Sequence, residues 1–376
     1  MEQIIKTGDP ATDKEVVEEM KRSYEAAGMS AQVTSLPGGG FKIVLGMPGV
    51  PAAPAAPAAQ GMAAMPPTGA FELGGEEGAK LVSAARQGSL RETLAFLATA
   101  RQAGDWDDYV FMVGHVGPEA SRPLLDQAAA QAPRQAEPRL LRAANAVKAA
   151  WDARGTGTAD TITDEGAGAM LDNLELARRD LAEAAGLDAA SPAAPAMLVE
   201  VATLHEQMSR EDGQAAFRQA LQRHPTHLQA FRNALRLSSQ KWGGTHNEQL
   251  QLARYGLSLA APGSDLHGCI FFAQIEIWFY MNRFEGDEDG AQAYIANPAI
   301  QAELNQAFDR WVTPQYRARR VSPPMLHLAA FWYDLVGDLP RLKRAVAATG
   351  QVQVPHPWHY LGEPTVMFMQ ALQKTM

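Results

Sequence analysis

The sequence predicts a mainly α-helical protein: an α-solenoid of antiparallel helix pairs, preceded by a small α+β module (β-α-β-β) on a Pro/Ala-rich linker. Three observations lead there. From about Phe71 onward, apolar residues recur at helical spacing between closely set stop signals. Residues 47–70, MPGVPAAPAAPAAQGMAAMPPTGA, carry no charge and little beyond Pro, Ala, Gly and Met. Ahead of them, residues 1–46 switch between strand-like and helix-like patterns.

In the module, Gln3-Ile4-Ile5-Lys6 reads as a first strand. Asp13 then opens a helix with Val16, Val17, Met20 and Tyr24 on one face, and Gly28 ends it. SAQVTSLPGGGFKIVLG, residues 30–46, reads as a hairpin, with Val33 and Leu36 before a Pro-Gly-Gly-Gly turn and Phe41, Ile43 and Leu45 after it. Those glycines do not make a phosphate loop, because neither Gly-Lys-Ser/Thr nor a helix follows them. A unit of this size is marginal alone and is expected to dock on a partner or on the main body. The linker's repeated prolines favour extended polyproline II, a semi-stiff tether that rises roughly 3 Å per residue. It contains no Pro-x-x-Pro flanked by basic residues, so a proline-motif ligand is not the expectation.

In the domain from 71 to 376, Ser89-Leu-Arg-Glu92 has the form of a capping box opening a helix that ends near Gly104. Breaks follow near Gly117-Pro118, Pro133, Gly155 to Thr163, Gly186 to Pro192, Pro225, Gly243-Gly244, Pro262-Gly263, Pro298, Pro314, Pro323-Pro324 and Gly337. Helices of about 12–20 residues joined by short turns are the sequence form of an α-solenoid. A self-similarity supports it. The second helix of a tetratricopeptide repeat sets small, large apolar, small and then Pro at fixed offsets. Gly213, Phe217, Ala220, Leu221 and Pro225 fit, as do Ala177, Leu181, Ala184 and Ala185 one copy earlier, with Leu257 and Pro262 marking a degenerate later copy. Positions 184, 220 and 257 step by 36 and 37 residues, near the standard repeat of about 34.

Several segments then come in a familiar order: AAWDARG (149–155), LARRDLAEAAGLDAASP (176–192), SSQKWGGTHNEQLQLAR (238–254), AAPGSDL (260–266) and PHPWHYLG (355–362). Over residues 80–375 the chain resembles a bacterial tetratricopeptide-like family marked by a Lys-Trp-Gly-Gly segment. It departs from the repeat pattern at Ala189, where proline usually follows Leu-Asp. The resemblance implies a helical-repeat fold and carries no activity with it.

Bulk composition narrows the function classes. Of the 376 residues, 46% are hydrophobic and 20% charged, ordinary for a globular protein. The net charge of -9 argues against nucleic acid and anionic membranes as partners, since both need clustered Lys and Arg. One cysteine, Cys269, excludes an internal disulfide framework. MEQIIKTGDP reaches acidic residues before any apolar run that would suit a signal peptide, and Cys269 to Met281 is too short to span a bilayer. A cytoplasmic location is expected.

No catalytic, cofactor-binding or metal set is complete. His205-Glu206 begins a zincin-like string, but Ser209 stands where the second histidine is required. His224 with His227, and His356 with His359, are pairs three apart that lack a third ligand and a base. EGDEDG (285–290) imitates a calcium loop, yet Ala296 occupies the position of its bidentate glutamate, so it reads as an acidic turn. GLSLA (256–260) falls within a helix, without the strained strand-to-helix turn of a nucleophile elbow. Ser264, Asp265 and His267 are too close in sequence to align as a triad. Cys269 sits beside Ile270, Phe271 and Phe272 and reads as a buried structural cysteine.

The stretch QKWGGTHNEQ (240–249) reads as a joint between helices. Gly243 takes a left-handed cap with Gly244 beside it, and Thr245 with Glu248 caps the next helix. Trp242 packs into the cleft between the two helices and Lys241 stays solvated. Beyond Pro225, the repeat register places Gln229, Arg232, Asn233 and Arg236 on a groove, where they could grip a partner's carboxylates. The equivalent face one repeat later offers Cys269, Ile270, Ala273 and Glu276. The leading expectation is a non-catalytic scaffold or adaptor, with the helical repeats holding a protein or peptide and the tethered module making a second contact. The alternatives are an enzyme built from loops 154–166 and 355–363, or a neutralising partner of a toxin or effector.

Overall fold

The computed structural model describes residues 2–5, 30–35, 41–46, 73–155, 161–205, 207–350 and 352–376. The chain divides into two compact units, Met1–Met65 and Pro66–Met376. In the first, β1 (Glu2–Ile5), β2 (Ser30–Ser35) and β3 (Phe41–Gly46) form an antiparallel sheet in the order β1-β3-β2. Ile43 of β3 lies opposite Gln3 on one side and Val33 on the other. The helix expected over residues 13–28, the turn after Ser35 and the linker over 47–70 lie outside the described residues.

The second unit is helical throughout its described residues. Its first half comprises α1 (Gly75–Arg86), α2 (Arg91–Ala103), α3 (Trp106–Val116), α4 (Arg122–Gln131), α5 (Glu137–Arg154), α6 (Asp164–Leu187), α7 (Ala193–Leu204) and α8 (Arg210–Arg223). Then follow α9 (Leu228–Leu237), α10 (His246–Leu259), α11 (Gly268–Tyr280), α12 (Glu288–Ile295), α13 (Pro298–Trp311), α14 (Pro323–Val336), α15 (Leu339–Ala348) and α16 (Pro364–Gln373). No described helix is long and apolar enough to cross a membrane.

Local chemistry sets many of these boundaries. Ser209 with Asp212 and Thr245 with Glu248 close reciprocal capping boxes at α8 and α10. At α2 the box does not close: the Ser89 hydroxyl donates to the Glu92 carboxylate, and the helix starts at Arg91 with no side-chain cap. Asp287 accepts from the Gly290 backbone N–H, so the calcium-like turn serves as the N-cap of α12. His227 is fully buried and caps α9 by accepting at Nδ1 from the Ala230 N–H.

The joint ahead of α10 rests on two different glycine requirements. Gly243 has φ +80° and faces open space, so its constraint is conformational. At Gly244 an added Cβ would collide with the Ser238 carbonyl, so the constraint is steric. Gly243→Val and Gly244→Ala are each expected to cost more than about 1 kcal/mol in urea unfolding. A variant within about 0.5 kcal/mol of wild type would remove that reading for its position.

Helices pair along the chain: α5 with α6, α7 with α8, α10 with α11 and α14 with α15, while α9 lies against α7 and α11 against α14. Small residues set the approach. A Cβ on Gly213 would meet Leu237 Cδ2 at 2.5 Å and Ala202 Cβ at 3.1 Å. Phe217 fills the neighbouring gap, edge-on to Phe231 at 5.2 Å.

The start of the helical unit is also tied to the turn before α14. Arg320 donates to the Gly74 carbonyl at 3.1 Å, to Asp108 at 2.6 Å and to Glu77 at 2.6 Å. Arg319 bridges Asp107 and Asp265 at 3.2 Å each. Asp107 also accepts from the Leu228 N–H at 2.8 Å, and Phe111 of α3 packs against both main apolar clusters. In a purely linear array each repeat touches only its neighbours. Here the turn before α14 bonds residues more than 200 positions earlier, as the 212- and 246-residue separations of these bonds show.

Candidate functional site

Segments far apart in sequence meet in one polar cluster built by α5, α7, α9, α11 and the turns at 240–242 and 355–361. Its clearest element is a carboxylate that the core encloses. Glu276 lies in the apolar run of α11 and is 4% exposed. An acid at that depth needs a cation and further donors. Lys241 supplies the cation, its ammonium 2.6 Å from Oε2. The Tyr360 hydroxyl donates to Oε1 in a short bond, and His356 Nε2 lies 3.4 Å from the same oxygen. Lys241 also donates to the Tyr360 oxygen at 2.9 Å and lies over the Phe279 and Tyr360 rings, themselves stacked at 3.7 Å.

These contacts fix the charge states. Burial would drive the Glu276 carboxyl up, but Lys241 and His356 together hold it well below the usual carboxylate range. Burial, reinforced by Glu276, pushes the Tyr360 phenol well above its ordinary value. Burial pushes His356 down to about 4, against the pull of Glu276. At neutral pH the cluster is therefore an ammonium–carboxylate pair with a neutral imidazole and a neutral phenol.

The second element is an arginine–tryptophan stack. Glu200 of α7 accepts from Trp151 Nε1 at 3.1 Å and from Arg236 at 3.1 Å. The Arg236 guanidinium lies 5.5 Å from the Trp151 ring centroid. Arg154 lies 5.2 Å over Trp242, and Trp242 meets Trp151 edge-on at 5.8 Å. Trp242 thus packs on α5, not in the cleft between α9 and α10. Lys241 is drawn into the Glu276 pair, not left solvated.

Of the four groove residues read from the repeat register, Arg232 and Arg236 lie at this cluster, while Asn233 serves packing. Asn233 is 2% exposed and donates to the Ala196 carbonyl at 3.0 Å, stapling α9 to α7. Gln229 donates to Asn233 at 2.8 Å and accepts from Arg232 at 3.0 Å. Among the described residues, Arg232 has no carboxylate within ion-pair distance, and its one polar partner is Gln229. It is enclosed by protein, yet part of its surface stays open to solvent. Burial pushes its guanidinium down to about 10, still charged at neutral pH. Cys269 is fully buried at the start of α11, and burial pushes its thiol up to about 12, which makes it inert.

Three members were not assigned from the sequence: Trp151, Glu200 and the Lys241–Tyr360 contact. A signal existed for part of it. A lone glutamate in CIFFAQIEIWFYM demands a buried cation, and basic residues and tyrosine recur in the very segments that carry the family resemblance. Among the described residues, no three His, Cys, Asp or Glu side chains lie close enough to hold a metal ion.

No protein family, curated protein or solved structure gives a significant match to this chain.

Proposed function

We propose that the helical unit is a tetratricopeptide-like solenoid acting as a non-catalytic adaptor, whose recess on α7, α9 and α11 receives an acidic segment of a partner protein. Arg232 is the observation that carries this reading. Glu276 is matched by Lys241 and Glu200 by Arg236, so Arg232 is left as excess positive charge at a solvent-reachable depth. A cation in such a place costs free energy until an anion meets it, and its planar fork suits a carboxylate. The module at residues 1–46 supplies a second contact, and the linker raises the effective concentration between the two. The chain is read as cytoplasmic and bacterial, from its composition and the family it resembles.

The convergence of Lys241, Glu276, His356 and Tyr360 favours a second reading, an enzyme. It ranks lower because each polar group there is occupied by another. General acid–base catalysis wants a group poised near the working pH, whereas His356 is pushed down to about 4 and Tyr360 is pushed far up.

Photo-cross-linking in the native host tests the adaptor reading. A photoreactive residue at Gln229, the hydrogen-bond partner of Arg232, is expected to capture one partner. The same residue at Arg218, exposed on α8, is expected to capture none. Equal capture from both positions would place the partner elsewhere.

A further inference from the structure

A separate pocket of about 580 Å³ opens between α6, α7 and α8 and shares no residue with the recess. That volume is in the range of small-molecule sites. Its lining sets apolar Leu198, Met208 and Ala216 beside polar His205, Glu175, Arg178 and Asp212.

His205 is 5% exposed. Its Nδ1 accepts from the Gln207 backbone N–H at 3.2 Å, so the ring's proton sits on Nε2. Among the described residues that Nε2–H has no acceptor, and it is closed to solvent unless its neighbours shift. The Glu175 Oε2 atom is 3.7 Å away, beyond hydrogen-bond reach. Arg178 holds Glu175 there with two bonds of 2.7 Å, and keeps its carboxyl below the usual range. A buried donor with no acceptor carries a desolvation penalty that a ligand would relieve.

The pocket therefore sets an unanswered donor on His205 beside the anionic acceptor Glu175, with apolar Leu198, Met208 and Ala216 nearby. A carboxamide carries an acceptor oxygen and a donor nitrogen on one carbon, so it answers both with near-parallel bonds. A carboxylate brings no donor and is repelled by Glu175, and an amine brings no acceptor for His205. We propose that this pocket binds a neutral carboxamide with an apolar body, its carbonyl on His205 Nε2–H and its N–H on Glu175 Oε2.

The test uses the full chain and four probes: benzamide, cyclohexanecarboxamide, benzoate and benzylamine. Binding is read from the His205 ring nitrogens by long-range proton–nitrogen correlation, and in the variant that lacks this ring by calorimetric titration. Both carboxamides are expected to move the Nε2 resonance saturably, at least tenfold more tightly than benzoate or benzylamine. His205→Phe should lose at least tenfold of that affinity. Because His205 is buried, Glu175→Gln serves as the second variant, in a side chain 41% exposed. It removes the charge that repels benzoate and should narrow the carboxamide-to-benzoate preference severalfold. Carboxamides that leave the His205 resonances unmoved, or a preference unchanged by Glu175→Gln, would overturn the proposal. Neither outcome bears on Arg232 or on partner capture at the recess.

Discussion

Replacing Lys241 by methionine is expected to destabilise the helical unit by about 3 kcal/mol or more, the usual cost of stripping one partner from a buried ion pair. Glu276 would keep its place in the core with only Tyr360 and His356 to answer its charge. Methionine approximates the lysine stem, so the loss reports the charge more than the packing around Phe279 and Tyr360. The double variant Lys241→Met with Glu276→Leu should recover most of the loss, since a buried pair can often be exchanged for apolar residues at little cost. Urea unfolding of the two single variants and the double closes the cycle. Single variants within about 1 kcal/mol of wild type would mean that the pair is solvated and the cluster contributes little.

Acid is expected to weaken the fold through His327 of α14. The ring is fully buried and uses both nitrogens: Nε2–H donates to the Val352 carbonyl at 2.6 Å, and Nδ1 accepts from Trp358 Nε1–H at 2.7 Å. Protonation would turn Nδ1 into a donor facing another donor. Burial accordingly pushes this histidine down to about 4, against about 6.5 for an unfolded chain. Between pH 6.5 and 4 the unfolded chain takes up a proton that the folded ring refuses. Stability therefore falls as the pH falls through that window, and this group adds no further loss below it. The shift corresponds to about 3 kcal/mol. Val352 and Trp358 bracket His356, so release of this contact also loosens the segment that covers Glu276. His227, likewise pushed down to about 4 by burial, adds in the same direction. His327→Gln offers one donor and one acceptor without titrating. Its stability should drop about 2 kcal/mol less than that of wild type between pH 7 and 4.5, measured by urea unfolding at each pH. An identical pH slope in the two proteins would contradict the assignment.

The helical character was legible because Gly, Pro and capping residues are local signals. Gly337 at the end of α14 and Pro298 at the start of α13 act through their own backbone. The joint at 243–248 is local for the same reason. The recess was only half legible. Register placed Arg232 and Arg236 on one face of α9, but the same register put Asn233 there, and its amide is spent on Ala196. What fills a neighbouring position is decided by a helix 37 residues away in that case, and 84 away for Tyr360 and Glu276. Side-chain pairing over such separations leaves no periodic trace in one sequence. The tie from Arg319 and Arg320 back to the first helices was invisible for the same reason.

Fluorescence anisotropy with a labelled peptide of alternating Glu and Ala tests the central claim most directly. The peptide should bind the full chain at low salt and weaken as salt rises, as a charge-led contact does. Arg232→Gln should lose about tenfold in affinity, the scale of one charge-assisted hydrogen bond, while Arg218→Gln on the exposed face of α8 changes little. Equal losses from Arg232→Gln and Arg218→Gln, or no loss from either, would contradict the claim that the recess is the partner site.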